Sequence, residues 1–219
     1  MKRIYALLFV VLIALPFAGK TQVIESINKP ILDELDEVRP FSEGLAAVRK
    51  GNQWGFINTE GKLVIDFRSD LVWSTEADTS KMDIRGIRYP EFLDGLCMNQ
   101  ALTDEGIPLY GFINSKGEQL IQPEFVNITQ FENGKAIGIF AKKTFRGQNE
   151  IKLNVFDYSF IEVLINTQGE ILWPIMERDH ILMSTRRFEL PLLRSKLLSD
   201  GLLASKNKSN EWEIHRLSL

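Results

Sequence analysis

One eight-residue pattern occurs three times in this chain, and it narrows the fold more than any other feature. It reads Ile57-Asn58-Thr59-Glu60-Gly61-Lys62-Leu63-Val64, then Ile113-Asn114-Ser115-Lys116-Gly117-Glu118-Gln119-Leu120, then Ile165-Asn166-Thr167-Gln168-Gly169-Glu170-Ile171-Leu172. Ile, Asn and Gly keep their places, and Thr or Ser follows Asn. Each of these residues makes up only a few per cent of an average protein, so chance does not account for three recurrences. A chain assembled from copies of one unit builds a modular array, and arrays generally present surfaces rather than one reaction site.

The repetition extends upstream of each octapeptide. Phe41-Ser42-Glu43-Gly44, Phe92-Leu93-Asp94-Gly95 and Phe131-Glu132-Asn133-Gly134 precede the three copies, and Leu198-Ser199-Asp200-Gly201 opens a fourth that stops short. Each unit reads as a turn ending in Gly, a first strand, a connection, a second strand, a tight turn and a third strand. The second strand carries Trp54-Gly55-Phe56 in the first unit and Tyr110-Gly111-Phe112 in the second. Gly61, Gly117 and Gly169 stand where the tight turn needs a positive φ, and the Asn side chains are placed to accept from the turn backbone. Loops of this length ending in Gly suit hairpins with a type I turn and a bulge. The interval between the two glycines grows from 17 residues (Gly44 to Gly61) to 22 and then 35. In the third unit the growth, Phe140 to Phe160, includes Thr144–Glu150, which reads as an exposed polar tip. A second insertion, Asp70 to Tyr89, separates units one and two, and insertions in arrays tend to gather on the binding face.

Phe41-Ser42-Glu43-Gly44-Leu45-Ala46, with Gln53-Trp54-Gly55-Phe56-Ile57-Asn58 and Gly61-Lys62-Leu63-Val64-Ile65, resembles the bacterial WG repeat, named for its Trp-Gly pair. The leader Leu35–Pro40 and the stretch Phe125–Gln130 fit the same pattern. The resemblance covers about residues 30–175, with an echo to 214. The second copy has Tyr110 in place of Trp, and in the third Val163-Leu164 is read at the Trp-Gly place. The resemblance implies a β-rich repeat protein, often exported, of a family with no catalytic residues to transfer. The fold class expected is therefore all-β, with tandem antiparallel β-hairpin or three-stranded WG-type repeats. Their places are repeat 1 at about 35–67, the insertion at 70–89, repeat 2 at about 92–125, repeat 3 at about 131–174 and a partial repeat 4 at about 198–214. A minor helix or an extended linker is expected near 176–198, where Pro191 opposes helix.

Lys2 and Arg3 followed by the uncharged run Ile4 to Ala18 read as a signal peptide over residues 1–21, with cleavage between Ala18 and Gln22. The alternative is a retained membrane anchor. Export to the periplasm, the cell surface or the medium is the expectation. Loss of Lys2, Arg3 and Lys20 takes the net charge from −3 to −6. An acidic chain argues against nucleic acid as a partner, because that binding depends on neutralising phosphates. Cys97 is the single cysteine, so no internal disulfide forms. Its neighbours look like a strand, which reads as a buried small apolar residue rather than a reactive thiol.

No catalytic, cofactor-binding or metal-binding residue is assigned. The two histidines, His180 and His215, have no second His or Cys nearby in sequence, as a metal site would favour. Asp33, Glu34, Asp36 and Glu37 lack the Gly-containing loop of a calcium site and read as a solvated run. Asp179, His180 and Ser184 adjoin without a Gly-x-Ser-x-Gly elbow. Glu43, Asp94 and Asp200, with Asn133, recur before glycines and read as turn residues rather than as paired acids for glycoside cleavage. Arg186, Arg187, Arg194, Lys196, Lys206 and Lys208 form a basic stretch, read as a solvated face. Trp54 and Trp212 hold a repeated position and are expected in the core, whereas Trp73 is expected at the surface. The function expected is an exported scaffold that binds a protein or an envelope glycan without catalysis. The competing readings are a hydrolase of an envelope polymer using scattered carboxylates, and a purely structural envelope protein.

Overall fold

The computed structural model describes residues 28–218, so the expected signal peptide lies outside the described residues. The chain divides into two units. Of the first, residues 1–35, the described part forms turns and bends without a strand. The second, residues 36–219, holds the sheets. A four-stranded sheet comprises β1 (Glu37–Ser42), β2 (Leu45–Lys50), β3 (Gln53–Asn58) and β4 (Leu63–Arg68). A six-stranded sheet comprises β5 (Leu96–Leu102), β6 (Pro108–Asn114), β7 (Gln119–Ile128), β8 (Lys135–Gln148), β9 (Asn154–Asn166) and β10 (Ile171–Arg178). A three-stranded sheet comprises β11 (Ser195–Ser199), β12 (Leu202–Lys206) and β13 (Trp212–Arg216). Within each sheet every strand pairs antiparallel with its neighbours in sequence, so the fold is the all-β array of hairpins expected from the repeats.

The second and third repeats share a strand. β7 closes the second through Phe112↔Ile121 and opens the third through Ile128↔Gly138. The first and second meet in the same way on a smaller scale. There the Val72 N–H donates to the Met98 carbonyl and the Gln100 N–H to the Asp70 carbonyl. Of the two readings for 176–198, the extended one holds, and no helix forms there. β10 runs on to Arg178, open turns follow, and β11 begins at Ser195. Pro191 denies that stretch a helical N–H, and its carbonyl is committed to the Asn127 amide at 2.9 Å.

Two kinds of turn build the meander. At Glu43-Gly44, Asp94-Gly95 and Asn133-Gly134 both residues have positive φ, between 49° and 80°. That is the type I′ hairpin, whose twist matches that of the strands it joins. The octapeptide makes the other kind. Asn58 Oδ1 accepts from the N–H groups of Glu60 and Lys62, and Gly61 at φ 77° closes the loop onto the Asn58 carbonyl. Asn114 and Asn166 repeat these bonds. So do Asn149 and Asn207, with Lys152 and Asn210 taking the positive-φ place of Gly. Those two copies escape a pattern search because the geometry tolerates a residue other than Gly at some cost.

The glycine of each Trp-Gly or Tyr-Gly pair answers to a neighbouring backbone. Opposite Gly55 and Gly111 the third strand bulges, and the register jumps between Trp54↔Arg68 and Phe56↔Ile65, and again between Tyr110↔Phe125 and Phe112↔Ile121. A Cβ on Gly55 would lie 2.9 Å from the Ile65 carbonyl oxygen, and one on Gly111 would lie 2.7 Å from Pro123 N. In the third repeat the pairing shows that Glu162-Val163, not Val163-Leu164, occupies this place, because Leu164 pairs with Trp173 as Phe56 pairs with Ile65. Val163 pairs directly with Pro174, and the bulge moves to Ile175.

Both ends of the insertion 70–89 pack into the interior, while most of 74–82 is exposed. Leu71, Val72 and Ile87 are buried, and Trp73 is half-buried with its ring set edge-on to Trp54 at 5.6 Å. This corrects the surface expectation for Trp73. Asp83 is 3 % exposed and bonds Asn127 of β7, so the insertion is pinned to the second repeat as well.

Gly111→Ala should destabilise by about 2–4 kcal/mol, because backbone rather than a movable side chain must shift. Gly117→Ala, at φ 81° and with Ile65 Cγ2 at 3.3 Å, should cost about 1–2 kcal/mol. Urea unfolding followed by circular dichroism checks both, and a Gly111→Ala protein as stable as the parent would overturn the bulge argument.

Candidate binding surfaces

The residues singled out for chemistry in the sequence do not converge. Cys97 is fully buried, and burial pushes its thiol pKa up, away from thiolate formation at neutral pH. His180 and Ser184 share no hydrogen bond among the described residues; the Ser184 carbonyl instead accepts from the N–H groups of Arg187 and Phe188. Asp36 accepts from the Gly51 N–H at 2.6 Å, and Glu37 from Arg49 at 3.3 Å, so both tie β1 to the next hairpin. Among the described residues no group of three or more His, Cys, Asp or Glu is placed to hold a metal. No helix there is long and apolar enough to cross a membrane.

The acids before the turn glycines have a role beyond the turn. Glu43 accepts from the Gly95 N–H at 2.8 Å, and Asp94 from the Gly134 N–H at 2.7 Å. A type I′ hairpin leaves that N–H unused. Each acid therefore joins its own hairpin to the next one, and Lys135 reaches Asp200 of the fourth turn at 3.3 Å.

The signature column holds Trp54, Tyr110, Glu162 and Trp212 in successive repeats. Glu162 is wholly buried and accepts from Arg178, from the Ser195 hydroxyl and from the Arg194 N–H. The Arg178 side chain is 9 % exposed and also donates to the Leu192 carbonyl at 3.0 Å. This ion pair replaces aromatic packing and anchors the 179–194 segment. Its signal in the sequence is an acid in an aromatic column, visible only in the correct register. Trp212 holds the same strand position as Trp54 yet is 51 % exposed, which corrects its core assignment. Trp54 is covered by Trp73 and by β4, and Trp212 has no such cover among the described residues. Lys196 and Lys206 stand over its ring at 5.0 and 5.3 Å, with no carboxylate in ion-pair range among the described residues.

A second surface is the far half of the β8–β9 hairpin. Beyond Phe140 and before Phe160 these strands pair with each other alone among the described residues. One face is a ladder of rings that leaves the core and becomes progressively exposed. Phe160 is buried, Tyr158 stacks on it at 6.2 Å, and Phe156 meets Phe145 at 5.5 Å. Ile151, Leu153 and Val155 at the tip are exposed as well. The tip read as polar in the sequence is thus apolar on one face, because strand alternation sets Phe145 against Phe156 while Thr144 and Asp157 face the other way. The base is clamped. The Tyr158 hydroxyl donates to Glu105 at 3.2 Å, Lys143 pairs with Asp104 and Glu105, and Thr185 donates to the Glu105 carbonyl. Burial opposes the charge of Lys143, but its bonds to Tyr158 and Asp104 outweigh that and leave its pKa raised.

Two outcomes test the polar interior. Glu162→Gln strands the buried Arg178 charge and should cost about 3–5 kcal/mol by urea unfolding, largely recovered in a Glu162→Gln/Arg178→Met double variant. At Asp83, burial raises the carboxyl pKa, but bonds from Arg85 and Asn127 more than reverse that, so it lies below the usual value. Its contribution is complete above the ordinary Asp value of ~3.9 and is lost as pH falls through the lower folded value. Asp83→Asn should therefore flatten the acid limb of the stability–pH profile and leave its slope near neutrality unchanged.

No curated protein and no solved structure matches the chain. A family model described as WG containing repeat matches residues 24–54, 54–76 and 110–137, the last beginning at Tyr110-Gly111. The chain thus carries WG-containing repeats at three places, with which its array of antiparallel hairpins is consistent.

Proposed function

We propose that this WG-repeat protein is an exported scaffold that binds without catalysing, and that the far half of the β8–β9 ribbon holds a protein partner of the cell envelope. The observation that carries the reading is the exposed ring pair Phe145 and Phe156, with the exposed Ile151, Leu153 and Val155 at the tip, on a ribbon clamped at its base. An exposed apolar cluster of this kind marks an interaction site. A protein suits it better than a glycan, because its side chains are mostly aliphatic and its strand edges offer unpaired backbone groups. A glycan would stack on an open ring, and at Trp212 two ammonium groups already occupy that space. Export rests on the charged start and apolar run of residues 2–18, and the net charge of −3 speaks against nucleic acid.

The test is photo-crosslinking in envelope fractions from a reactive residue at Ile151, with Glu60 as the control position. A discrete product from 151, absent from 60 and lost in a Phe145→Ser/Leu153→Asp variant, is expected. That variant changes exposed positions and should keep its stability within about 0.5 kcal/mol per site. No product from the ribbon, or one indifferent to the substitutions, would overturn the assignment.

A further inference from the structure

We propose that copies of this protein join head to tail, the residues before β1 of one copy adding a strand to the outer edge of β13 in the next. The argument comes from the joints inside the chain. Between repeats two and three, β7 lies against β6 with its first half and against β8 with its second. Counting back thirteen, nine and six residues from the turn glycine Gly134 gives Ile121, Phe125 and Ile128; the same steps from Gly44 give Ile31, Leu35 and Val38. The leader therefore repeats the apolar spacing of a shared strand. Its first half is not in a strand, and its second half is β1, which pairs with β2 alone among the described residues.

Both ends expose what the internal joints bury. Ile31, Val38 and Phe41 are 80 %, 60 % and 51 % exposed, whereas Ile121, Ile128 and Phe131 are buried. At the other end, Phe56, Phe112 and Leu164 each lie two residues after the signature position, are buried, and pair with a third strand. Ile214 holds that place on β13, is 67 % exposed, and pairs with Ala204 of β12 but with no strand on its other side among the described residues. An exposed apolar strand edge is a ready template for pairing with another chain.

The register follows from the residue at the glycine place. Glu213 stands where Gly111 stands, and its Cβ excludes the tight bulge of the second repeat. The incoming strand therefore takes the register of β9 with β10, where Val163 pairs directly with Pro174. Ile31 then lies opposite Ile214, as Trp173 lies opposite Leu164. The residue at the glycine place and the apolar pattern thus agree on one register. Because the two surfaces differ, the contact is heterologous and propagates from copy to copy.

Sedimentation velocity across a concentration series tests this on the purified protein. The parent should show mass rising with concentration without a fixed stoichiometry. Ile31→Glu and Ile214→Glu, both at exposed positions, should each remain monomeric with an unchanged circular dichroism spectrum. Mixing the two should restore a 1:1 dimer and nothing larger, because each variant keeps the surface the other lacks. A parent that is monomeric throughout would overturn the proposal. So would an Ile31→Glu protein that still self-associates, since that would indicate a β13–β13 contact, and so would a mixture that fails to pair.

Discussion

The N–H of one turn glycine, held by the acid of the turn before it, is the contact on which the rest of the array depends. Glu43 to Gly95 and Asp94 to Gly134 set each hairpin a fixed step from the last. On the other kind of turn the step is set sterically. Gly117 rests on Ile65 and Gly169 on Ile121, close enough that a methyl group would press on each isoleucine. A directional bond and a close contact on the two kinds of turn leave little freedom in register. The same residues serve twice, once for the turn and once for the joint, which is why the pattern survives where strand sequences drift.

Divergence is greatest where a repeat must do something other than stack. The third repeat gives up an aromatic for Glu162 and uses the buried charge to hold Arg178 and the backbone at Arg194. Burying a charge is costly unless it is paired and its remaining lone pairs are satisfied, and here three donors meet it. The result is an irregular 179–194 segment with a defined path, packed by Ile181, Met183, Phe188 and Leu193 against the base of the β8–β9 ribbon. The ribbon is thus presented on a fixed base. The 70–89 insertion is anchored in the interior at both ends, where Trp73 packs edge-on to Trp54 and Asp83 meets Asn127.

Reading the chain by pattern found the parts whose causes are local. Asn followed by Gly at three positions predicts a turn because the Asn side chain and the left-handed Gly act within five residues. Fourfold spacing of turns predicts antiparallel hairpins for the same reason. The pattern missed Asn149 and Asn207, where the turn geometry is kept without Gly, and it placed the third Trp-Gly one residue late. Trp212 was assigned to the core from its column alone, but burial depends on the cover that neighbouring elements supply.

Local sequence therefore decided the all-β class, the turns and the hairpin order, since each follows from φ preferences and hydrogen bonds within a few residues. Tertiary structure decided which columns are buried, why Glu162 is tolerated inside, and which insertion faces solvent. Those outcomes depend on contacts between residues tens of positions apart, such as Asp83 with Asn127 and Glu43 with Gly95, whose partners are chosen by how the sheets meet rather than by anything adjacent in the chain.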